Sequence, residues 1–302
     1  MYRLSVIARY TFLEAIMQPI YALLMSLGTL TLIIYGLLPF FTLGDDTKMY
    51  KSVGLDVIML VVLLATLFTT SKSIYEEIED RTMLTLMSKP VRRWEVLIGK
   101  YVGIIFASAL GVAILGIILL GMTWYRVPAD HYLTASSLND LVQAKIYAWR
   151  MSDIAGIAPQ LVLTWLQISV LAAVGVVLST RFSLVVNLPT VIILYLAGNL
   201  TRYLFPIATG PLADKSPTLK GFAWLISLVI PYLGTFDLKG LTVLSTIKIA
   251  SAASDEDRTA IPLSMLWSYV GIAGLNAIAY VTFALCAGLW SFRSRELGGG
   301  EG

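Results

Sequence analysis

Long apolar runs are the feature that most constrains what this chain can fold into. A helix needs about 20 predominantly apolar residues to cross a bilayer, and six stretches approach or exceed that length. They are residues 20–41, 55–71, 101–125, 159–180, 184–205 and 265–292. Because 57% of the 302 residues are hydrophobic and only 14% are charged, a water-soluble core is excluded. We therefore predict an all-α membrane protein with six transmembrane helices in a single domain over residues 1–302.

Two shorter segments have a different pattern. Residues 3–18 are amphipathic: an apolar stripe is formed by Leu4, Ile7, Ala8, Phe12, Ala15 and Ile16, and the residues off that stripe are Arg3, Ser5, Arg9 and Glu14. This predicts a helix in the membrane interface rather than a soluble stub of the first span. Residues 221–233 are apolar but too short to span and contain Pro231, so they are predicted to be re-entrant or interfacial.

The distribution of basic residues predicts the orientation. Six spans put both termini on one side, and the Lys and Arg residues divide equally between the two sides. Those on the side of the termini lie closer to the span ends, which is where basic residues set orientation. We therefore predict a multi-pass protein of the cell (inner) membrane with both termini cytoplasmic and with outer loops at 42–54, 126–158 and 206–264.

The connection between the second and third spans is longer than a simple link requires. Residues 72–100 read KSIYEEIEDRTMLTLMSKPVRRWEVLIGK, with acidic residues first, an apolar group at 83–87, and basic residues after it. Pro90 predicts a break in any helix near Lys89, and the third helix is expected to be entered at Gly99. A solvated connector is one interpretation, but a short link would then suffice. An apolar patch on a membrane surface favours a docking partner.

This connection resembles the cytoplasmic loop of ABC-2-type transporter permeases. The residues that carry the resemblance are Glu77, Thr82, Leu86, Pro90, Arg93, Gly99 and Lys100. Residues 8–14 are similar to the entry helix of that family, and residues 230–236 are similar to its last outer loop. Arg81 departs from the glycine that many members carry before the threonine, so the geometry of docking is open at that residue.

The resemblance implies the transmembrane permease subunit of an ATP-driven ABC exporter. Two permease subunits would pair, as a homo- or heterodimer, and each would bind a separate ATPase subunit that holds ATP and Mg²⁺. The ATPase-coupling residues would be Glu77, Glu79, Asp80, Arg81, Thr82, Leu86, Pro90, Arg93 and Lys100. A rigid loop of this kind is suited to carry a rigid-body movement into the spans.

The chain lacks the motifs of an ATPase. Its nearest approach to a phosphate-binding loop is Gly99-Lys100, but Trp94 stands where the first glycine belongs and Tyr101 where Ser or Thr belongs. We therefore expect no enzyme activity from this chain by itself and no cofactor bound to it. One cysteine and one histidine predict no metal site, and a net charge of +3 gives no reason to expect nucleic acid.

Polar and small residues within the spans have two interpretations. Asn187, Thr190, Asn199 and Asn276 are candidates for lining a pathway, although hydrogen bonds between helices are the preferred interpretation. Gly99, Gly103, Ala107 and Gly111 form a small-residue stripe on the third span. Packing within the chain is preferred for this stripe over a contact between two permease subunits.

Two other functional classes remain open at this stage. An ion-coupled secondary carrier usually has ionisable residues within the membrane, whereas the acids here fall in loops, in tails or at span edges, as Asp56 does. A non-transporting assembly factor or a membrane-embedded enzyme is the other alternative. The identity of the substrate is not encoded in any motif that we find.

Overall fold

The computed structural model describes residues 2–38, 46–77, 92–130, 147, 150–209, 232–243, 247–248 and 261–293. Its α-helices of eight or more residues are α1 (Tyr2–Met17), α2 (Pro19–Leu37), α3 (Asp46–Ser71), α4 (Arg93–Asp130), α5 (Ile157–Ser179), α6 (Leu184–Thr209) and α8 (Leu263–Arg293). A π-helix, Lys72–Glu76, continues α3. A 3₁₀ turn, Leu233–Phe236, and the short helix α7 (Lys239–Thr242) precede a two-stranded parallel pair, β1 (Ile247–Lys248) and β2 (Ile261–Pro262).

Five helices in the described part of the chain are long and apolar enough to cross a membrane. They are Pro19–Leu37, Thr47–Glu76, Trp94–Arg126, Arg150–Ser179 and Leu263–Trp290, which match predicted spans one to four and six. The fifth predicted span is also helical, as α6, but its described apolar part is the shorter stretch Leu184–Leu200. A helical fold built to span a membrane is therefore confirmed, while the sixth crossing stays a prediction.

Several helices extend beyond the predicted spans. α3 begins at Asp46 and α4 runs from Arg93 to Asp130, so the predicted outer loops at 42–54 and 126–158 are partly helical. Hydropathy detects only the part of a helix that suits lipid, whereas polar interactions stabilise the extensions. Near the start of α3, Lys51 is almost fully buried, and its Nζ lies 2.6 Å from Oδ1 of Asp153.

The extended start of α3 changes the position of Asp56. Asp56 was predicted at a span edge, but it lies ten residues inside α3. Its side chain is 57% exposed and forms an ion pair with Lys239. Gln160 forms two hydrogen bonds to the segment that contains Lys239. Its Nε2 donates to the Phe236 carbonyl (3.3 Å), and its Oε1 accepts from the Leu238 N–H (3.0 Å).

α5 is the central helix and packs against α3, α4 and α8. Its fully buried side chains include Leu163, Ile168 and Leu171. Two aromatic side chains connect it to α4 through hydrogen bonds: the Tyr101 hydroxyl donates to the Ser169 carbonyl (3.1 Å), and Trp165 Nε1 donates to the Ile105 carbonyl (3.3 Å). These bonds satisfy polar groups at a depth where water is scarce.

α1 packs against the first half of α4 through the small-residue stripe. A Cβ on Gly103 would lie 2.5 Å from the Ala8 carbonyl oxygen and 3.0 Å from the Phe12 nitrogen, so only glycine admits the backbone of α1 at this distance. Further along, the Tyr21 hydroxyl donates to the Ala107 carbonyl (2.9 Å). The preferred interpretation of the stripe as packing within the chain is confirmed.

The amphipathic pattern of α1 is confirmed with one exception. Every residue of the predicted apolar stripe is buried or half-buried, while Arg3, Ser5 and Arg9 are exposed. Glu14, predicted to lie off the stripe, is half-buried, and its Oε2 atom is buried. A second line of apolar side chains on α1 is exposed: Val6, Tyr10, Leu13 and Met17.

Candidate functional site

The described part of the predicted coupling segment consists of its two ends. α3 continues into the π-helix Lys72–Glu76, and Glu77 is the last described residue before the segment. After the segment, α4 begins at Arg93. The helix thus begins six residues before Gly99, where the third span was predicted to be entered. Residues 78–91 lie outside the described part of the chain. That segment contains the predicted site residues Glu79, Asp80, Arg81, Thr82, Leu86 and Pro90.

Lys100 connects the two ends of this segment. It lies two turns into α4, its side chain is 4% exposed, and its Nζ lies 2.6 Å from Oε2 of Glu77. The same Nζ donates to the Ser73 carbonyl and, at 3.2 Å, to the Ser73 hydroxyl. A lysine ammonium has three donors, and these three acceptors occupy them all. The buried amine therefore has a partner for every donor.

The π-helix presents the Ser73 carbonyl to Lys100. In a regular α-helix the Glu77 N–H would donate to Ser73, but here it donates to the carbonyls of Ile74 and Tyr75. π-helical turns are uncommon and are frequently found at functional sites. In this protein the turn orients both Ser73 and Glu77 towards one cation, so the end of α3 and the start of α4 are fixed to each other.

Glu14 brings α1 to the same place. Burial raises the pKa of Glu14 above its ordinary value, while the charges of Lys100 and Lys72 lower it and those of Glu77 and Glu76 raise it. The charges of the Lys100–Glu77 pair therefore act on its carboxylate. Its Oε2 atom has no hydrogen-bond partner within the described residues. We name Glu14, Ser73, Glu77 and Lys100 the Lys100 cluster.

The start of α4 is stabilised by a side chain from its own first turn. Glu95 Oε2 accepts a hydrogen bond from the Arg92 N–H (2.9 Å), which is one half of a capping box. Arg93 is the first residue of α4. Helical structure thus begins immediately where the undescribed segment ends, and movement at residue 92 would be passed to α4 as a rigid body.

A second polar contact connects the end of α3 to α5 and α6. Asn187 is fully buried, and its Nδ2 donates to the hydroxyls of Ser71 (2.9 Å) and Ser179 (2.7 Å). Ser71 is the residue immediately before the π-helix. The hydrogen-bonding interpretation of Asn187 is therefore confirmed, and the region that carries Glu77 also touches α6.

The other candidate pathway residues behave differently. Thr190 is exposed and its hydroxyl donates within its own helix to the Val186 carbonyl (2.7 Å), and Asn199 donates to the Tyr195 carbonyl (3.0 Å). Asn276 is half-buried on α8. Both hydrogen bonds lie within α6 and do not connect it to another helix. Whether any of these residues lines a pathway stays a prediction.

The structure brings together Glu77 and Lys100, two of the residues that carry the resemblance, in a contact that the sequence analysis did not predict. It adds Glu14, Ser73 and Asn187, of which only Asn187 was a predicted site residue. The position of Lys100 at the start of an apolar span could have predicted a polar contact, because a buried ammonium needs carboxylate or carbonyl partners. Nothing in the sequence places Glu14 beside it, because α1 reaches Lys100 only through tertiary packing.

The comparison with known families gives one match. The family described as ABC-2 family transporter protein matches residues 10–297. This range includes the second half of α1, both ends of the coupling segment and α8. No curated protein matches the chain.

Proposed function

Because the chain belongs to the ABC-2 family of transporter proteins, we propose that it is the transmembrane permease subunit of an ATP-driven ABC exporter. It pairs with a second permease subunit, and each binds a separate ATPase subunit that carries ATP and Mg²⁺. The stretch from Glu77 to Thr82, within the cytoplasmic connection 72–100, docks on the ATPase. Both termini are cytoplasmic, and the chain resides in the cell (inner) membrane.

The single observation that carries this proposal is the Lys100 cluster. A flexible connector would move without displacing the helices at its ends. Here one buried cation joins Glu77, before the segment, to α4, after it. A force on the segment is therefore delivered to α3 and α4 together, which is what transmission from an ATPase requires.

The exposed face of α1 supports its place in the membrane interface. Val6, Tyr10, Leu13 and Met17 recur on one side of the helix and are exposed, while the opposite side packs against α4. In water such a line of large apolar side chains is unfavourable, whereas the boundary of a bilayer accepts it. α1 would then lie along the membrane surface.

The docking proposal is tested by substitution within the segment and at a matched site. The tagged chain is co-expressed with the ATP-binding cassette subunits of its source, and the purified complex is assayed for bound ATPase. We expect an ATPase to co-purify, and Thr82→Trp to remove it. Met49→Trp is the control, because Met49 is exposed near the opposite end of α3.

Four results would contradict the proposal. The first is a chain that purifies without any ATPase, and the second is a loss of ATPase from Met49→Trp as large as that from Thr82→Trp. The third is transport that persists without nucleotide and collapses with an ion gradient, which would identify an ion-coupled secondary carrier. Turnover of a compound by the isolated chain would identify an enzyme instead.

A further inference from the structure

Asp56 is an acidic residue that lies well inside the apolar helix Thr47–Glu76. Two residues before it, Gly54 packs against α2, where an added Cβ would lie 3.4 Å from Cδ2 of Leu32. Leu32 is five residues before the end of α2 at Leu37. Because a helix rises about 1.5 Å per residue, Asp56 lies roughly 10 Å deeper in the bundle than the end of α2.

The segment 232–243 reaches into the same end of the bundle and carries the counterion of this carboxylate. The Tyr269 hydroxyl, six residues after the start of α8, donates to the Thr235 carbonyl (2.9 Å). The two hydrogen bonds from Gln160, which is 2% exposed, fix the backbone immediately before Lys239. The position of the ammonium is therefore set by packing against α5 and α8.

The ion pair is open on one side. The Asp56 side chain is 57% exposed and that of Lys239 is 24% exposed. A carboxylate has more acceptor sites than one ammonium occupies. Leu60, one turn further into the span, is also exposed. Since acidic residues within spans face the bundle interior or a water-filled cavity and not lipid, this face of α3 is open to water or to a ligand.

We propose that Asp56 and Lys239 form a binding site for an amphipathic cation, whose ammonium donates to Asp56 and whose apolar part lies against Leu60. Asp237 Oδ1 accepts a hydrogen bond from the Lys239 N–H (3.0 Å), so two carboxylates and one ammonium lie here together. The excess negative charge favours a cation. The place of this site on the path of the exported substrate rests on the proposed function.

Lys239 competes with the ligand for the same carboxylate. An ion pair that is partly exposed contributes little net free energy, so the exchange of one ammonium for another costs little. The ligand also removes the apolar surface of its own chain from water. A neutral amphiphile would gain only this second contribution, and an anionic one would be repelled by Asp56.

The experiment measures binding of octylamine, which is protonated at neutral pH, to the full chain in phosphatidylcholine nanodiscs. The readout is the rise of the apparent Tm with ligand concentration. Octanol and octanoate are matched probes without the positive charge. We expect a saturable rise with octylamine alone. In Asp56→Asn the apparent affinity should fall at least about tenfold, as for the loss of one hydrogen bond to a charged group. Glu76→Gln, which removes an exposed carboxylate at the other end of this helix, should leave it unchanged.

A second variant separates ligand binding from a merely structural ion pair. In Lys239→Met the carboxylate loses its internal competitor, so octylamine should bind more tightly than to the natural chain. If octanol raises Tm as far as octylamine does, or if Asp56→Asn leaves the affinity unchanged, the site is disproved. Weaker binding to Lys239→Met, as in Asp56→Asn, would mean that the pair serves only to hold the segment 232–243.

These measurements do not require the ATPase, so a failure to bind is distinguishable from a failure of the proposed function. In the complex with its ATPase, octylamine should stimulate ATP hydrolysis by the natural chain and not by Asp56→Asn. Binding without stimulation would overturn the place of the site on the transport path.

Discussion

The Nζ atom of Lys100 lies 2.6 Å from Oε2 of Glu77, across the base of the segment that connects α3 to α4. These residues are separated in sequence by the whole of that segment. Their contact makes its two ends one mechanical unit, with Ser73 as the third participant.

Lys100→Met should uncouple the segment from the helices without preventing docking. Methionine keeps most of the volume but cannot bind Glu77 or Ser73, so displacement of the segment no longer carries α4 with it. In the purified complex we expect the ATPase subunit to remain bound while transport per ATP hydrolysed falls at least about tenfold, a coupling change of about 1.4 kcal/mol. Lys72→Met is the control, since Lys72 is exposed on the adjacent turn.

The small-residue stripe gives a prediction about α1. In Gly103→Ala the new Cβ would meet backbone atoms of Ala8 and Phe12, which cannot move independently of their helix. We expect a destabilisation of about 1–3 kcal/mol and faster amide exchange in α1. Gly121→Ala on the same helix meets nothing within 4 Å and should leave both properties unchanged or slightly improved. Equal effects of the two substitutions would refute a packing role for Gly103.

Hydropathy predicted much of this fold, because helix segments that lie in lipid are continuous runs of apolar residues and can be recognised in the sequence. The ends of the helices are polar, so hydropathy did not predict them. The polar residues 46–54 form the start of α3, where Lys51 is buried against Asp153. These residues have no periodic pattern of apolar side chains that would predict a helix. The π-helix at Lys72–Glu76 was likewise invisible, because it is stabilised by a cation 24 or more residues away in sequence.

The candidate site was predictable only in part for the same reason. Glu77 and Lys100 were identified from a motif, whereas Glu14 looked like an ordinary polar residue of an amphipathic helix. Its half-buried position follows from the glycines of α4, which admit α1 closely enough to bring the carboxylate near Lys100. Pairwise proximity across a tertiary contact has no signature in a single sequence.

The buried amide of Asn187 should stabilise the packing of α6. Asn187→Ala removes hydrogen bonds to Ser71 and Ser179, which are both buried. Hydrogen bonds between membrane helices contribute about 0.6 kcal/mol on average and at most about 1.7, so we expect a loss of about 1 kcal/mol in unfolding from detergent. Thr190→Ala on the same helix should have a smaller effect, because Thr190 bonds only to its own helix.

The ion pairs Lys51–Asp153 and Asp56–Lys239, which both involve α3, should respond differently to neutralisation. Asp153→Asn leaves the ammonium of Lys51 buried without a full counterion and should cost about 3 kcal/mol. Asp56→Asn breaks a pair whose carboxylate is 57% exposed and should cost less than about 1 kcal/mol. Added salt should reduce the second effect more than the first, as urea or thermal unfolding at two ionic strengths would reveal. The reverse order would contradict the burial of Lys51.

The raised pKa of Glu14 predicts a pH dependence of defined sign. Because burial raises the folded-state pKa above the ordinary value near 4.5, the folded protein holds the proton more tightly than the unfolded chain does. The contribution of Glu14 to stability is therefore fully present below pH 4.5 and is lost as the pH rises through the folded pKa. Glu14→Gln abolishes this titration. The Tm of the variant minus that of the natural chain should be small at pH 4 and should increase towards pH 7. A difference that shrinks with rising pH would mean that Glu14 is stabilised as the carboxylate, with Lys100 already its main partner.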